Sequence, residues 1–181
     1  MPTVLKTARL VLKTFSVTDA RAFFELNADP AVLRFTGDVS FPSVAEAEDF
    51  IRNYDHYARY GFGRWSVFLK ASGEYPGFCG LSYQPALDEV DVGFRFVRRH
   101  WGKGFASESA RGAVLHGFRI CGRAKIVGRA RQENFASHRV LLKLGQRWAK
   151  SIVMDGHTWD QYEVSRAEAL STENSPLASR R

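Results

Sequence analysis

The segment from Val90 to Gly104 constrains this chain more than any other stretch of it. Val90, Val92, Phe94 and Phe96 alternate with Asp91, Gly93 and Arg95, the period of a strand with one apolar face. The strand runs into Arg99-His100-Trp101-Gly102-Lys103-Gly104, and Ala106, Ala110, Ala113, Val114, Gly117 and Phe118 then recur at helical spacing. Strand, Gly-x-Gly turn and long helix therefore follow one another directly. Glycines let a backbone approach a ligand closely, and the free N–H groups and dipole of a helix start suit a pyrophosphate. A bare tight turn explains the glycines equally well. The segment lacks the full P-loop pattern. It also lacks the third glycine and following acid-tipped strand of a dinucleotide fingerprint.

The rest of the chain predicts an α+β domain with one mixed sheet. Arg9 to Phe15 reads as an opening strand, and Ser16 with Asp19 as a capping pair for a helix through Val17, Ala20 and Phe24. Asp29-Pro30 punctuates that helix. Ser43 and Glu46 form a capping box for a second helix along Val44, Ala47, Ile51, Tyr54 and Ala58, stopping at Tyr60-Gly61. Strands are expected over Gly63–Leu69 and Tyr75–Tyr83, the latter leading to the Val90 strand. After the long helix come a strand over Lys125–Ala130, a helix over Asn134–Leu144 and a hairpin around Asp155-Gly156. Residues 1–170 are read as one domain and 171–181 as a polar, mobile tail.

With 181 residues, 45% of them hydrophobic, the chain can bury a sizeable core. It has no apolar run near the roughly 20 residues of a membrane span, and no signal-peptide centre near its start. Cys79 and Cys121 are too few for a disulfide framework, and the five histidines show no metal spacing. A cytoplasmic protein without metal or membrane partner is the expectation, as monomer or homodimer. The net charge of +7 concentrates in the C-terminal half, around Arg98, Arg99, Lys103, Arg123, Lys125, Arg129 and Arg131, where an anion is to be sought. The aromatics are not interleaved with the arginines as a stacking platform would be, so direct nucleic-acid binding is not expected.

Three blocks resemble a known family. Arg99-x-x-Gly102-x-Gly104 matches the Arg/Gln-x-x-Gly-x-Gly/Ala signature of the GNAT acetyltransferases. Trp101 to Glu108 looks like the branch of ribosomal-protein N-terminal acetyltransferases, the RimJ/RimL type. Thr7-Ala8-Arg9-Leu10 resembles that branch's opening strand. Asn134-Phe135-Ala136-Ser137, followed by Val140-Leu141-Leu142-Lys143-Leu144-Gly145, resembles its Asn-x-x-Ser-x-x-Val-Leu-x-Lys-Leu-Gly helix. The resemblance spans about Thr7 to Ser165, with the blocks in order.

It implies the GNAT fold: a mixed, mostly antiparallel sheet, splayed at the acetyl-CoA site and flanked by helices. It implies acetyl-CoA as cosubstrate and direct transfer of acetyl to an amine. The acceptor is expected to be a protein N-terminal α-amino group, with a small-molecule amine as the alternative and a basic ribosome- or nucleic-acid-associated module as a third. By resemblance the backbone of Phe94, Arg95, Phe96 and Val97 meets the pantetheine. The N–H groups of Gly102, Lys103, Gly104, Phe105 and Ala106 hold the pyrophosphate, with charge added by Arg99 and Lys103. A solvated basic turn would explain those two side chains as well. Asn134 is expected on the pantetheine arm, although a simple helix cap is also open to it.

The tyrosine that many members place seven residues after this asparagine is Leu141 here, so Ser137, or a water it holds, is the candidate near the sulfur. Asp91 is the candidate base, with Glu89 on the same strand face; a solvated sheet acid is the competing reading. Glu108 matches a family position, and an acid in a helix's first turn is stabilised by the dipole without catalytic duty. Gln146 stands where the family usually has Phe, a change of packing rather than chemistry.

Overall fold

Eight strands form one open sheet in the order β1-β2-β3-β4-β5-β6-β8-β7. In chain order they are β1 (Thr3–Lys6), β2 (Leu10–Thr14), β3 (Arg64–Leu69), β4 (Gly77–Gln84), β5 (Glu89–Phe96), β6 (Lys125–Arg131), β7 (Arg147–Met154) and β8 (His157–Ser165). The helices are α1 (Ala20–Ala28), α2 (Pro30–Leu33), α3 (Val44–Arg52), α4 (His56–Tyr60), α5 (Phe105–Ile120), α6 (Phe135–Lys143) and α7 (Arg166–Glu173). These come from a computed structural model that describes residues 2–173. Of the tail expected over 171–181, the first three residues belong to α7, and the remainder lies outside the described residues. All strand pairs are antiparallel except β5 with β6.

Alternation along each strand divides the sheet's side chains between two layers. On one face Leu10, Leu12, Trp65, Val67, Cys79, Leu81, Val90, Val92, Ile126 and Val164 are buried with Ala110, Ala113, Val114 and Phe118 of α5. The other face carries a smaller cluster over β4, where Phe23 of α1 and Ala47 and Ile51 of α3 pack near Phe15 and Phe78. Burying a large apolar side chain stabilises by about 1.5–3 kcal/mol, so the α5 layer dominates the fold's stability. Among the described residues no helix is long and apolar enough to cross a membrane.

The local signals act as the residue types require. Ser16 and Asp19 form a reciprocal capping box, Asp29 caps Pro30–Leu33 through the Ala31 N–H, and Ser43 Oγ accepts from the Glu46 N–H at 3.2 Å. Two expectations change. The chain begins with the edge strand β1, too short and polar to stand out from its neighbours. The helix expected from Val44 to Tyr60 is broken into α3 and α4. Asn53 closes α3 by donating both its N–H and its Nδ2 to the Asp49 carbonyl, at 3.0 and 2.9 Å. The turn then brings two tyrosines onto the strands. Tyr54 Oη accepts from Arg64 N at 2.7 Å, while Tyr57 Oη accepts from Phe15 N at 3.1 Å and donates to the Arg64 carbonyl. Burial pushes both phenols above their ordinary pKa, so they remain neutral donors and acceptors.

Candidate active site

The sheet opens between β5 and β6. The two strands pair in register only at Asp91 and Val127, and from there they diverge toward their C-terminal ends. One edge of β5 stays paired with β4 as far as Phe96, so the other edge of its C-terminal half faces the gap. Successive strand residues point their N–H and C=O toward opposite edges. Val97 donates to the Pro76 carbonyl at 2.9 Å, which assigns Arg95 and Val97 to the β4 side and Phe94 and Phe96 to the gap. Trp101 Nε1 donates to the Phe96 carbonyl at 2.6 Å. Of the four residues expected along the gap, Phe94 therefore presents both backbone groups and Phe96 its N–H. Arg95 is turned away, engaging Asn27 and Asp38 and lying over the Phe78 ring.

At the mouth of the gap, Gly102 and Gly104 have φ of +75° and +79°, a region L side chains resist. Gly104 stands at the N-cap of α5 and supplies no side chain, so no side chain caps the helix's first N–H groups. Phe105 is buried against the core, which fixes where the helix starts, and Ala106 is half-buried beside it. Lys103 is exposed and makes no ion pair among the described residues. Arg99 is engaged elsewhere: Nε and Nη2 both donate to Glu74 Oε1, at 2.9 and 2.6 Å. The buried His100 adds a third bond to that oxygen at 3.0 Å, and with Arg99 it holds the Glu74 carboxyl below its usual range. Among the described residues, positive charge without an acidic partner at the turn is thus left to Lys103.

Two residues of the opening block, Thr7 and Arg9, hold this turn through Glu108. Glu108 accepts from Thr7 Oγ1 at 2.6 Å, from Arg9 N at 2.7 Å and from Arg9 Nε at 2.6 Å. Arg9 Nη1 donates on to the Lys103 carbonyl at 3.0 Å, and its guanidinium lies 4.6 Å from the centre of the Phe105 ring. Burial would raise the Glu108 carboxyl, but the bonds from Thr7 and Arg9 outweigh it and hold it below its ordinary value. The sequence offers no spacing that would reveal this link, since the partners lie about a hundred residues apart.

Beyond β6, Asn134 Oδ1 accepts from Ser137 N at 3.1 Å and so caps α6, leaving Nδ2 without a partner among the described residues. Ser137 sits half-buried in the first turn. Leu141, at the position where a tyrosine was sought, is 1% exposed and belongs to the core. Gln146 is also buried, donating to the Ile126 carbonyl at 3.3 Å, and a side chain at Gly128 would collide with it and with Leu141.

On the sheet face opposite α5, the acids are already engaged. Both Asp91 oxygens accept from Arg64 Nη2, at 3.0 and 3.2 Å, and the two side chains are only 18% and 14% exposed. Arg64 reaches across β4 to do this, over Gly80 and against Gly93, where a Cβ would stand 2.5–2.8 Å from the guanidinium. Glu89 pairs with Arg129 and accepts from Gln161 Nε2 at 3.1 Å. Neither acid stands free beside the gap. Burial pushes the Cys79 thiol up to about 11, so it is no nucleophile at neutral pH. Among the described residues no group of three or more His, Cys, Asp and Glu side chains could hold a metal. A cleft of about 580 Å³ between α1 and the end of β5 carries Glu25 and Asp29 as well as Arg98 and Arg99, a mixed lining unsuited to phosphates.

A family model described as an acetyltransferase (GNAT) domain matches residues 9–147. The chain is 30% identical over 142 residues to an uncharacterized N-acetyltransferase, p20, of Bacillus licheniformis, covering 77% of this chain and 80% of that one. The fold superposes on the spermidine N-acetyltransferase of Vibrio cholerae, solved with CoA and spermine (TM-score 0.77, 18% identity, 90% of this chain and 99% of that one). It likewise superposes on RimL, the ribosomal L7/L12 α-N-protein acetyltransferase, solved with CoA (TM-score 0.74, 17% identity, 91% and 98%). One fold thus serves proteins named for quite different acceptors.

Proposed function

Since the chain belongs to the GNAT acetyltransferases and uses acetyl-CoA as its cosubstrate, we propose that it acetylates the α-amino group of a polypeptide N-terminus. One observation carries the choice of acceptor: both strand carboxylates beside the gap, Asp91 and Glu89, are neutralised by arginines. An attacking amine must be neutral. Deprotonating a lysine-type amine at pH 7 costs about 4–5 kcal/mol, whereas an α-amino group of pKa about 8 costs roughly 1–1.4. A site whose two strand acids are both paired favours the second. The same pairing disfavours a polyamine, whose charges would need unpaired acids.

Acetyl-CoA, when bound, supplies the activated carbonyl. The chain's own groups position it. Phe94 and the Phe96 N–H bond the pantetheine amides along the gap, and the open N–H groups from Gly102 to Ala106 hold the pyrophosphate with Lys103 beside them. Asn134 Nδ2 adds a donor at the end of β6. The amine attacks, the thiolate departs, and the proton reaches it through Ser137 or a water that Ser137 holds. Asp91 acts through Arg64, whose position it fixes, rather than as the base.

Thiol release from acetyl-CoA with peptides, polyamines and aminoglycosides as acceptors tests the reading. Turnover with peptide N-termini at neutral pH, and little with polyamines, is expected. Preference for a polyamine or an aminoglycoside would overturn the choice of acceptor.

A further inference from the structure

On the face opposite α5, four basic side chains on the strands around the opening have acidic partners among the described residues. Arg64 is paired with Asp91, Arg95 with Asp38, Arg129 with Glu89 and Lys125 with Glu163. Arg131, the last residue of β6, has no carboxylate partner among the described residues. Its Nε is buried without a hydrogen bond, and so is Nε1 of Trp159. The two residues stand directly opposite one another in the β6–β8 ladder, so their side chains share a face. The guanidinium lies 5.5 Å from the centre of the Trp159 ring, which holds it in place by a cation–π contact.

The nearby acids do not serve it. Asp160 is one position along β8, on the opposite face, where it accepts from Ser151 Oγ and Gln132 Nε2. Asp38 is engaged by Arg95, and Glu133 is exposed beyond the strand. Gly37, between α2 and α3, lies over the pair. A Cβ built on it would come within 3.8 Å of Arg131 Nη2 and 3.9 Å of the Trp159 ring. Two buried N–H donors of adjacent side chains, one of them cationic, under a loop and at the open end of the gap, are what a planar anion requires.

We propose that Arg131 and Trp159 form a subsite for a carboxylate carried by the acceptor, so that the enzyme selects polypeptide N-termini with an acidic residue close behind the amine. The inference rests on amine acetylation at the β5–β6 gap. Spacing favours a polypeptide over a free amino acid. Arg131 lies four residues, about 13 Å of strand, beyond the last β5–β6 pair. A free amino acid holds its carboxylate one carbon from its amine and cannot span that separation. An acidic side chain at the second or third position can, since each extended residue adds about 3.3 Å.

Matched acetylated peptides, with Glu or Gln at the second or third position, test this without turnover by calorimetry on the protein–CoA complex. The Glu product should bind at least tenfold more tightly. Thiol release with the unacetylated pair should show a similar preference in kcat/KM, carried by KM. Arg131→Gln should reduce both preferences below twofold, Arg131→Lys should retain part, and CoA affinity should be unchanged. Trp159→Phe keeps an aromatic face, loses the N–H and should shrink the preference severalfold, a second variant should Arg131→Gln fail to fold. Equal binding of the two products to the wild type would overturn the subsite, as would Arg131→Gln weakening both alike. A free amino acid preferred tenfold over its amide, with no peptide preference, would overturn the polypeptide assignment. Tighter binding of the Glu product without acetylation of either peptide would overturn N-terminal acetylation and leave the subsite standing.

Discussion

Replacing Glu108 with alanine removes the acceptor of three hydrogen bonds and frees the Gly-x-Gly turn from the first strands. The cost follows from the geometry. The Glu108 side chain is 17% exposed and that of Arg9 51%, so their ion pair is worth only about 0.2–1 kcal/mol. Thr7 Oγ1 and the Arg9 N–H lose a charged acceptor but regain water at this partly open turn, for about 0.5–1 kcal/mol each. A carboxylate in a helix's first turn contributes about 0.3–1 kcal/mol more. The sum is about 1.5–4 kcal/mol, which lowers Tm by roughly 3–16 °C in a domain of this size. Glu108→Gln keeps one acceptor oxygen and should lose about half as much.

Because Arg9 also holds the Lys103 carbonyl, both variants should weaken CoA by about three- to tenfold, measured by calorimetry. The sign with pH is fixed too. The folded carboxyl titrates below its ordinary value of 4.5, so its contribution is complete above that value and is lost as pH falls through the lower, folded one. The stability gap between wild type and Glu108→Gln should therefore close in acid. Glu108→Ala with unaltered Tm and CoA affinity would refute the clamp.

Gly104→Val should abolish CoA binding while the domain stays folded, because a β-branched residue resists φ of +79° and blocks close approach; calorimetry on the folded variant checks it. Asn134→Ala should weaken CoA and lower stability by about 1 kcal/mol through the lost cap, whereas Ser137→Ala should leave affinity intact and reduce turnover. If melting temperatures fall but kinetics do not change, that pair is structural. Asp91→Asn leaves Arg64 without its charge partner, so stability should drop while the pH–rate profile keeps its shape. A defect that fades as pH rises would make Asp91 the general base after all.

Much of the candidate site's local geometry was legible in the sequence because its determinants are local. Positive φ at Gly102 and Gly104, the cap at Asn134 and the face-by-face alternation of β5 each depend on a residue and its near neighbours. The capping box at Ser16 is a four-residue event, and it stands where the residue types put it. Alternation also assigned Asp91 and Glu89 to one side of the strand. It could not say what faces them, because side-chain period fixes a face and leaves the partner to the register between strands.

Tertiary structure decided the rest. Arg64 reaches Asp91 only because Gly80 and Gly93 leave a lane across two strands, and Arg99 turns to Glu74 rather than toward the turn. Helix α3 stops short since Tyr54 and Tyr57 find Arg64 and Phe15 across the fold. Arg9 and Glu108 meet because α5 packs across the first strands, and Arg131 and Trp159 because β6 and β8 are neighbours in the sheet. The sequence by itself determined most of the elements, the glycine turn and the family, but not the edge strand β1 or the break between α3 and α4. Which charges remain unpaired was settled by long-range pairing, since a carboxylate's partner is whatever cation the folded register sets within about 4 Å of it.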